Sequence, residues 1–335
     1  MKRKQWSLLG AGLLALTLAG GAEAQQQFFR IGTGTAGGTY YPVGGIIATA
    51  ISNPPGSRPC DKGGSCGVPG LIAVVQSSDG SVANVNAVQS GQMESGISQS
   101  DVNDWAFNAT GLFEGRPKAT KLRIIANLFP EHIHVIVSGR SGITAVEQLK
   151  GKRVNMGLPA SGTLVGARLY FEAFGLKEGA DLKPEFLSPA QSIDRIRDGQ
   201  LDASFLIAGF PVAPVVELSA TIGAGLLTLT PDMQAKIVKQ VPYWTPATIP
   251  AGTYKGIDKD VMTVAVGAQW LTSSDQPDEL IYQITKALWN DNTRLLLDSG
   301  HAKGKSIRKE TALSGISLPF HPGAERFYKE AGLLK

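Results

Sequence analysis

The chain has 335 residues, 43% hydrophobic and 18% charged, with 40 glycines and 19 prolines. That hydrophobic share excludes a disordered chain, and the length suits one large core or two moderate ones. Lys+Arg total 32 against 28 for Asp+Glu, a net charge of +4, half of which sits in the leader (Lys2, Arg3 and Lys4 against Glu23), so no basic block is left for nucleic acid.

The chain opens with the basic stretch MKRKQ, an apolar run over 6–18 and the small-x-small triplet Ala22-Glu23-Ala24. This order predicts a secretory signal peptide over 1–24, cleaved after Ala24, and a mature protein exported to the periplasm. The apolar run falls short of the roughly 20 residues that a membrane span needs.

Two segments then share one layout of strand, glycine loop and helix: FFRIGTGTAGGTYYPVGGIIATAI and KRVNMGLPASGTLVGARLYFEAFGL. Each is followed by a helix, a glycine-glutamine turn and a short apolar strand, first around Val82, Val85 and Val88 and SGISQSD, then around Ile193 and Ile196 and ASFLIAGFP. Apolar spacing of three to four followed by a turn and a strand is the α/β pattern, so two similar α/β lobes with a cleft between them are expected. Between them runs LRIIANLFPEHIHVIVSG, a β-rich stretch broken by Pro130 that carries the chain from one lobe to the other. Residues 141–149 read as a turn and short helix with Thr144 as N-cap. A strand begins near Val261, a long amphipathic helix spans 277–297 with Leu280, Ile284, Leu288 and Leu295 near one face, and the tail closes with a loop and helix.

Cys60 and Cys66 lie in the loop PCDKGGSCG. In an oxidising compartment an even pair so close in sequence points to one disulfide. Zinc would need two further ligands, and CxxC spacing is absent.

Gly32, Gly34 and Gly37 satisfy GxGxxG after a strand, yet a dinucleotide fold wants an acidic residue about 20 positions on, and that region is loop. Glycine loops at helix starts instead offer backbone N–H groups and partial positive charge to a carboxylate or phosphate without any lysine. Ser78–Ser81 and Gln99–Asp101 are two further polar helix starts, with Asp101 placed as an N-cap. Ligands of open α/β sheets bind outside the strands' carboxyl ends, where such starts lie. His132 and His134, at i and i+2 beside Glu131, leave a zinc-binding protein open as an alternative, although no third ligand is evident. Ser306 to Lys309 matches SxxK without its companion motifs, and nothing joins a nucleophile to a base, so no enzyme activity and no cofactor is expected.

The ordered set GTGTAGGTYYPVGG, SSDGSVANVNAVQSGQMESGISQSDV, GKRVNMGLPASGT, ATIPAGTY and LPFHPGAERFY resembles the TAXI family, the extracytoplasmic solute receptors of TRAP-type transporters. The resemblance covers about 28–328. It implies an α/β, two-lobed periplasmic binding protein of type II with a central cleft and hinge strands. Lobe 1 would take 28–136 and 262–335, and lobe 2 would take 137–261. It also implies a monomeric receptor that captures a small organic anion, a carboxylate or an amino acid such as glutamate, and hands it to a TRAP-type membrane permease. Carried over by position, the ligand site draws on Gly34, Thr35, Gly38, Tyr40 and Tyr41. Ser81 and Asn84, then Gln99 and Asp101, supply the next two motifs. Ser161, Gly162 and Thr163 face them from the other lobe, with Phe210 on the cleft wall. Glu131 and His134 fall near the hinge; a bidentate arginine clamp is not implied, with Arg168, one helical turn past the Ser-Gly-Thr loop, as the candidate exception. Asp79 stands where Asn is more usual, and the cysteine hairpin is an elaboration.

Overall fold

Short apolar runs closed by glycine and serine turns become strands that join one sheet, and the 3.6-periodic runs become the helices covering it. The computed structural model describes residues 26–335, so the leader read over 1–24 lies outside the described residues. The chain begins β1 (Gln27–Gly32), α1 (Tyr40–Ile51), β2 (Ser52–Asn53), β3 (Val68–Pro69), β4 (Leu71–Gln76), α2 (Ser81–Gln89), β5 (Ser95–Gln99) and α3 (Ser100–Asn108). It continues β6 (Leu122–Ser138), β7 (Arg153–Asn155), α4 (Gly162–Ala173), β8 (Lys183–Glu185), α5 (Pro189–Arg197), β9 (Ala203–Ala208) and α6 (Ala213–Thr221). Last come β10 (Ala224–Leu226), α7 (Pro231–Gln240), β11 (Thr245–Ile249), β12 (Val261–Ser273), α8 (Asp278–Leu288), α9 (Asp291–Gly300) and α10 (Pro322–Glu330).

The strand order is β4-β1-β5-β12-β6-β9-β7-β8, with β10 added to β6 and β11 to β12. At one end β4, β1 and β5 are parallel; at the other β9, β7 and β8 are parallel. Between them run the two long strands β6 and β12, antiparallel to each other and to their outer neighbours. The first part of β6 pairs with the end of β12, and the stretch from His132 to Val137 pairs with β9. The buried apolar clusters divide in the same way. Those built on Phe29, Trp270 and Tyr328, and on Val85, Leu122 and Leu271, draw their buried members from 29–129 and 268–328. Those built on Phe171, Phe205 and Trp244, and on Ile196, Leu218 and Ile249, draw theirs from 133–266. Two helix-covered half-sheets share a pair of strands, and this is the two-lobed α/β architecture expected.

Three local readings need correction. Pro130 does not break its strand: β6 runs on from Leu122 to Ser138. Pro130 faces Gly267 where β6 is exchanging β12 for β9 as its partner, so the missing N–H falls where the ladder changes hands. The helix expected over 277–297 is two helices, because the Asn290 side chain accepts from Thr293 N and starts α9 afresh; Leu295 is left 67% exposed. Thr144 caps nothing by its side chain. The short turn over Val146–Leu149 starts at Ala145, and the Gln148 side chain instead accepts from the Thr144 and Ala145 amides.

Candidate ligand-binding site

Four helices begin at one cavity. Thr39 and Tyr40 at the start of α1, Gly80 and Ser81 at α2, Ser161 to Thr163 at α4 and Pro189 at α5 all line it. The first turns of these four helices carry no acidic residue. The starts of α1 and α2 also lack a side-chain cap: the Thr39 hydroxyl turns away to donate to Gly209 O at 2.8 Å, and Gly80 has no side chain to offer. The uncapped N–H groups of α1 and α2 and the positive ends of four helix dipoles therefore border one space, which suits an anion. The cavity measures about 70 Å³ and is partly open to solvent.

Ten of the thirteen residues expected at the ligand meet at this cavity or beside its wall, and the division is instructive. Gly34, Thr35, Gly38, Tyr40, Ser81, Gln99, Ser161, Gly162 and Thr163 line it. Phe210 stands just outside, 3.7 Å from the Lys303 nitrogen at its ring centroid and packed edge-on against His132. Tyr41, Asn84 and Asp101 do not reach it among the described residues. Asn84 is buried between β1 and β5. Its Nδ2 donates to Thr33 O and Ile97 O at 2.7 and 2.8 Å, and its Oδ1 accepts from Ser78 Oγ at 2.8 Å. A Cβ at Gly32 would come 2.6 Å from Asn84 Oδ1, and one at Gly96 2.9 Å from Asn84 Cβ, so those glycines make its space. Asn84 thus fixes the loop before α2 from below. Asp101 is not the N-cap; Gln99 occupies that position, and Asp101 accepts from Val102 N at 2.8 Å and Trp244 Nε1 at 3.1 Å. Arg168 points outward into an ion pair with Glu178 at 2.6 Å.

Sequence reasoning missed much of the far wall: Asn155, Gly157, Leu158, Leu187, Phe205, Leu206 and Ile207; Asp79, singled out from sequence as a departure from Asn, lines the cavity at its exposed rim. Asn155 ends a strand ahead of a glycine loop, as Gly32 does, and that parallel was the available signal. The most consequential is Glu131, read earlier as a hinge residue. It is 2% exposed, lines the cavity and accepts from the Tyr40 hydroxyl at 2.6 Å. Burial pushes its carboxyl up to about 8, against the hydrogen bonds from Tyr40 and Gln99 and the attraction of Lys303, which lower it. Tyr40 is pushed well above its ordinary value by burial and the neighbouring Glu131. Among the described residues, no Lys or Arg side chain lines the cavity.

The two halves are in contact across the cavity. Ala83 N donates to Ala160 O at 3.1 Å, Tyr243 OH donates to Asp104 Oδ2 at 2.6 Å, and the Trp105 and Tyr243 rings meet edge-on. A Cβ at Gly162 would collide with the Gln99 amide and come 2.8 Å from Ser81 Oγ. This is a closed arrangement. The histidines face other partners: His134 Nδ1 bonds His132 O at 2.9 Å and its Nε2 bonds Tyr254 OH at 3.0 Å. Burial lowers His132 to about 3 and His134 to about 4. Among the described residues, no three His, Cys, Asp or Glu side chains are grouped so as to hold a metal ion.

Cys60 and Cys66 form the expected disulfide, and their hairpin packs against the α8–α9 junction, where Asn290 Nδ2 donates to Cys66 O at 3.2 Å. Among the described residues no helix is long and apolar enough to cross a membrane.

Two α/β halves closing over a cavity on two shared strands define the fold of periplasmic binding proteins. The chain is similar to a solved periplasmic transporter structure, at 14% identity over 91% of this chain and 92% of that one, with a TM-score of 0.52. It is likewise similar to a structure from Bordetella bronchiseptica RB50, at 15% identity over 91% and 82% of the two chains, with a TM-score of 0.50. At such identities the likeness is one of fold. The chain belongs to the NMT1-like family, whose model matches residues 31–332.

Proposed function

We propose that this protein is a periplasmic solute-binding receptor that captures a small organic anion by lobe closure. The observation that carries the reading is the meeting of four helix starts, free of acidic first turns, at a cavity whose walls come from both halves. Backbone N–H groups at these starts would hold the carboxylate, helped by the Thr35 and Thr163 hydroxyls. The lobe boundary is proposed at Pro130 and Gly267, a few residues from the 136 and 262 expected from sequence, because paired partners and apolar clusters both change there. Closure would be driven by contacts made only when the α4 start meets the solute held by the α1 and α2 starts.

The finer reading follows the TAXI resemblance: delivery to a TRAP-type permease by a monomeric receptor exported through a cleavable leader, with a carboxylate or an amino acid such as glutamate as cargo. Binding without turnover is expected. The test is a thermal-shift and calorimetric screen of residues 25–335 against amino acids, mono- and dicarboxylates, 2-oxo acids and sulfonates. A solute at about 100 times its Kd adds roughly 2.7 kcal/mol of stability. Saturable binding of one anion class supports the receptor. A shift with zinc alone, abolished by chelator, overturns it.

A further inference from the structure

At the inner end of the cavity two acceptors lie side by side. Gln99 is 2% exposed, and among the described residues its Oε1 finds no hydrogen-bond partner. With Glu131 ionised, the Gln99 Nε2 is the end that can donate to its carboxyl, which leaves Oε1 turned toward Gly162 and the cavity. Glu131 itself lines the same space and already accepts from Tyr40. A buried acceptor without a donor is rare in folded proteins and marks where something else supplies the hydrogen. The titratable groups around Glu131 are few: Tyr40 from α1, Asp101 from α3 and Lys303 from the turn over Ala302–Ser306. Lys303 lies over the Phe210 ring and does not line the cavity. A second carboxylate placed here would find no lining cation and could be accepted only against a protonated Glu131, whereas an ammonium favours the ionised form.

We propose that Gln99 Oε1 and the Glu131 carboxyl form a subsite for a proton-bearing nitrogen of the solute, so that the receptor prefers small carboxylates carrying an ammonium group and discriminates against those that lack one. The inference rests on the receptor reading above. The helix starts take the carboxylate, and the Gln99–Glu131 pair takes the nitrogen. An ammonium beside Glu131 favours its ionised form, so binding transfers the Glu131 proton to bulk buffer. With burial raising the Glu131 carboxyl to about 8, affinity rises with pH up to that point and levels off above it.

Calorimetry of residues 25–335 with skeleton-matched probes tests this: L-alanine against propionate, L-leucine against 4-methylpentanoate, and L-glutamate against glutarate, in two buffers of different ionisation enthalpy. The amino member of the binding pair should bind at least about 10-fold tighter and release about one proton near neutral pH. Glu131→Gln should lose roughly 10-fold or more in affinity and release no proton, with its thermal midpoint retained. Gln99→Met, which removes the orphan acceptor and nothing charged, should lose affinity for the amino member alone. Equal binding of the des-amino partner, or an unchanged proton count in Glu131→Gln, overturns the subsite. If plain carboxylates bind and amino acids do not, the subsite falls and the receptor stands. If no probe and no other small anion binds, both fall.

Discussion

The Lys303 ammonium nitrogen lies 3.7 Å from the centroid of the Phe210 ring, tying a turn near the C-terminus to the loop that follows β9 in the other half of the molecule. Lys303 is 5% exposed, and burial lowers its pKa to about 8. The same ring meets His132 at 4.6 Å between centroids. Phe210, placed on the cleft wall by sequence, is therefore a clasp between the halves.

A cation over an aromatic face contributes about 0.5–2 kcal/mol. Lys303→Met keeps the apolar stem and removes the charge. If the clasp favours the closed form, solute affinity should fall by roughly 2- to 30-fold, and small-angle scattering of the solute-free protein should show a larger radius. An affinity equal to that of the parent would mean that the contact plays no part in closure.

Gly162 presents bare backbone to the Gln99 amide across the cavity. In Gly162→Ala the added methyl would hold the halves apart, while the helix itself gains a residue of better propensity. The expected result is a loss of solute affinity of about 10-fold or more with an undiminished thermal midpoint, since one lost close contact of this size is worth about 1.4 kcal/mol or more. Retained affinity would show that closure in solution stops short of this contact.

His134 offers its Nδ1–H to His132 O and accepts at Nε2 from the Tyr254 hydroxyl, whose oxygen in turn accepts from Val212 N at 3.1 Å. Charging the ring sets a second N–H against a hydroxyl already oriented toward it. The folded value of about 4 lies below the ordinary one, so the folded protein binds fewer protons than the unfolded chain between those values. Stability from this group is complete above about pH 6.5 and is lost as pH falls toward 4, by at most about 1.4 kcal/mol per pH unit. Urea midpoints near pH 7 and pH 5 should separate more widely in the parent than in His134→Gln. Comparing the two proteins removes the opposite trend from Glu131 and Asp101, whose raised values favour acid. Equal separations would remove His134 from the acid response.

The disulfide closes a short loop, with a sequence separation of 6. Chain entropy then limits its contribution to about 2 kcal/mol. A Cys60→Ser, Cys66→Ser double variant should lower the denaturant midpoint modestly and leave solute affinity unchanged, because the hairpin leans on α8 and α9 and lies apart from the cavity lining. A marked affinity loss would connect the hairpin to closure.

What the sequence made legible was local and periodic. The glycine loops at Gly34–Gly38 and Ser161–Thr163 declared themselves because a strand, small residues and a helix follow in fixed order. Glu131 did not, because its role depends on β6 running past Pro130 without interruption and bringing its side chain beneath Tyr40. Asn84 and Asp101 looked like ligand contacts for a related reason: a polar residue at a helix start has the same signature whether it faces a cavity or braces a loop. Only the register of β1, β5 and their neighbours decides that, and register is set by pairings far apart in the chain.

The place of β12 in the strand order bears on how the molecule is assembled. It separates β5 from β6 at the centre of the sheet, although 122 precedes 261 by most of one lobe. Everything from 133 to 266 can collapse on its own apolar clusters as soon as it emerges. The earlier strands β1, β4 and β5 must wait with one edge unfilled until Ser273 has followed them. A chain threaded across a membrane N-terminus first would therefore finish its first-exported portion last. Residues 95–99, all buried in the finished sheet, are the segment most in need of protection during that interval.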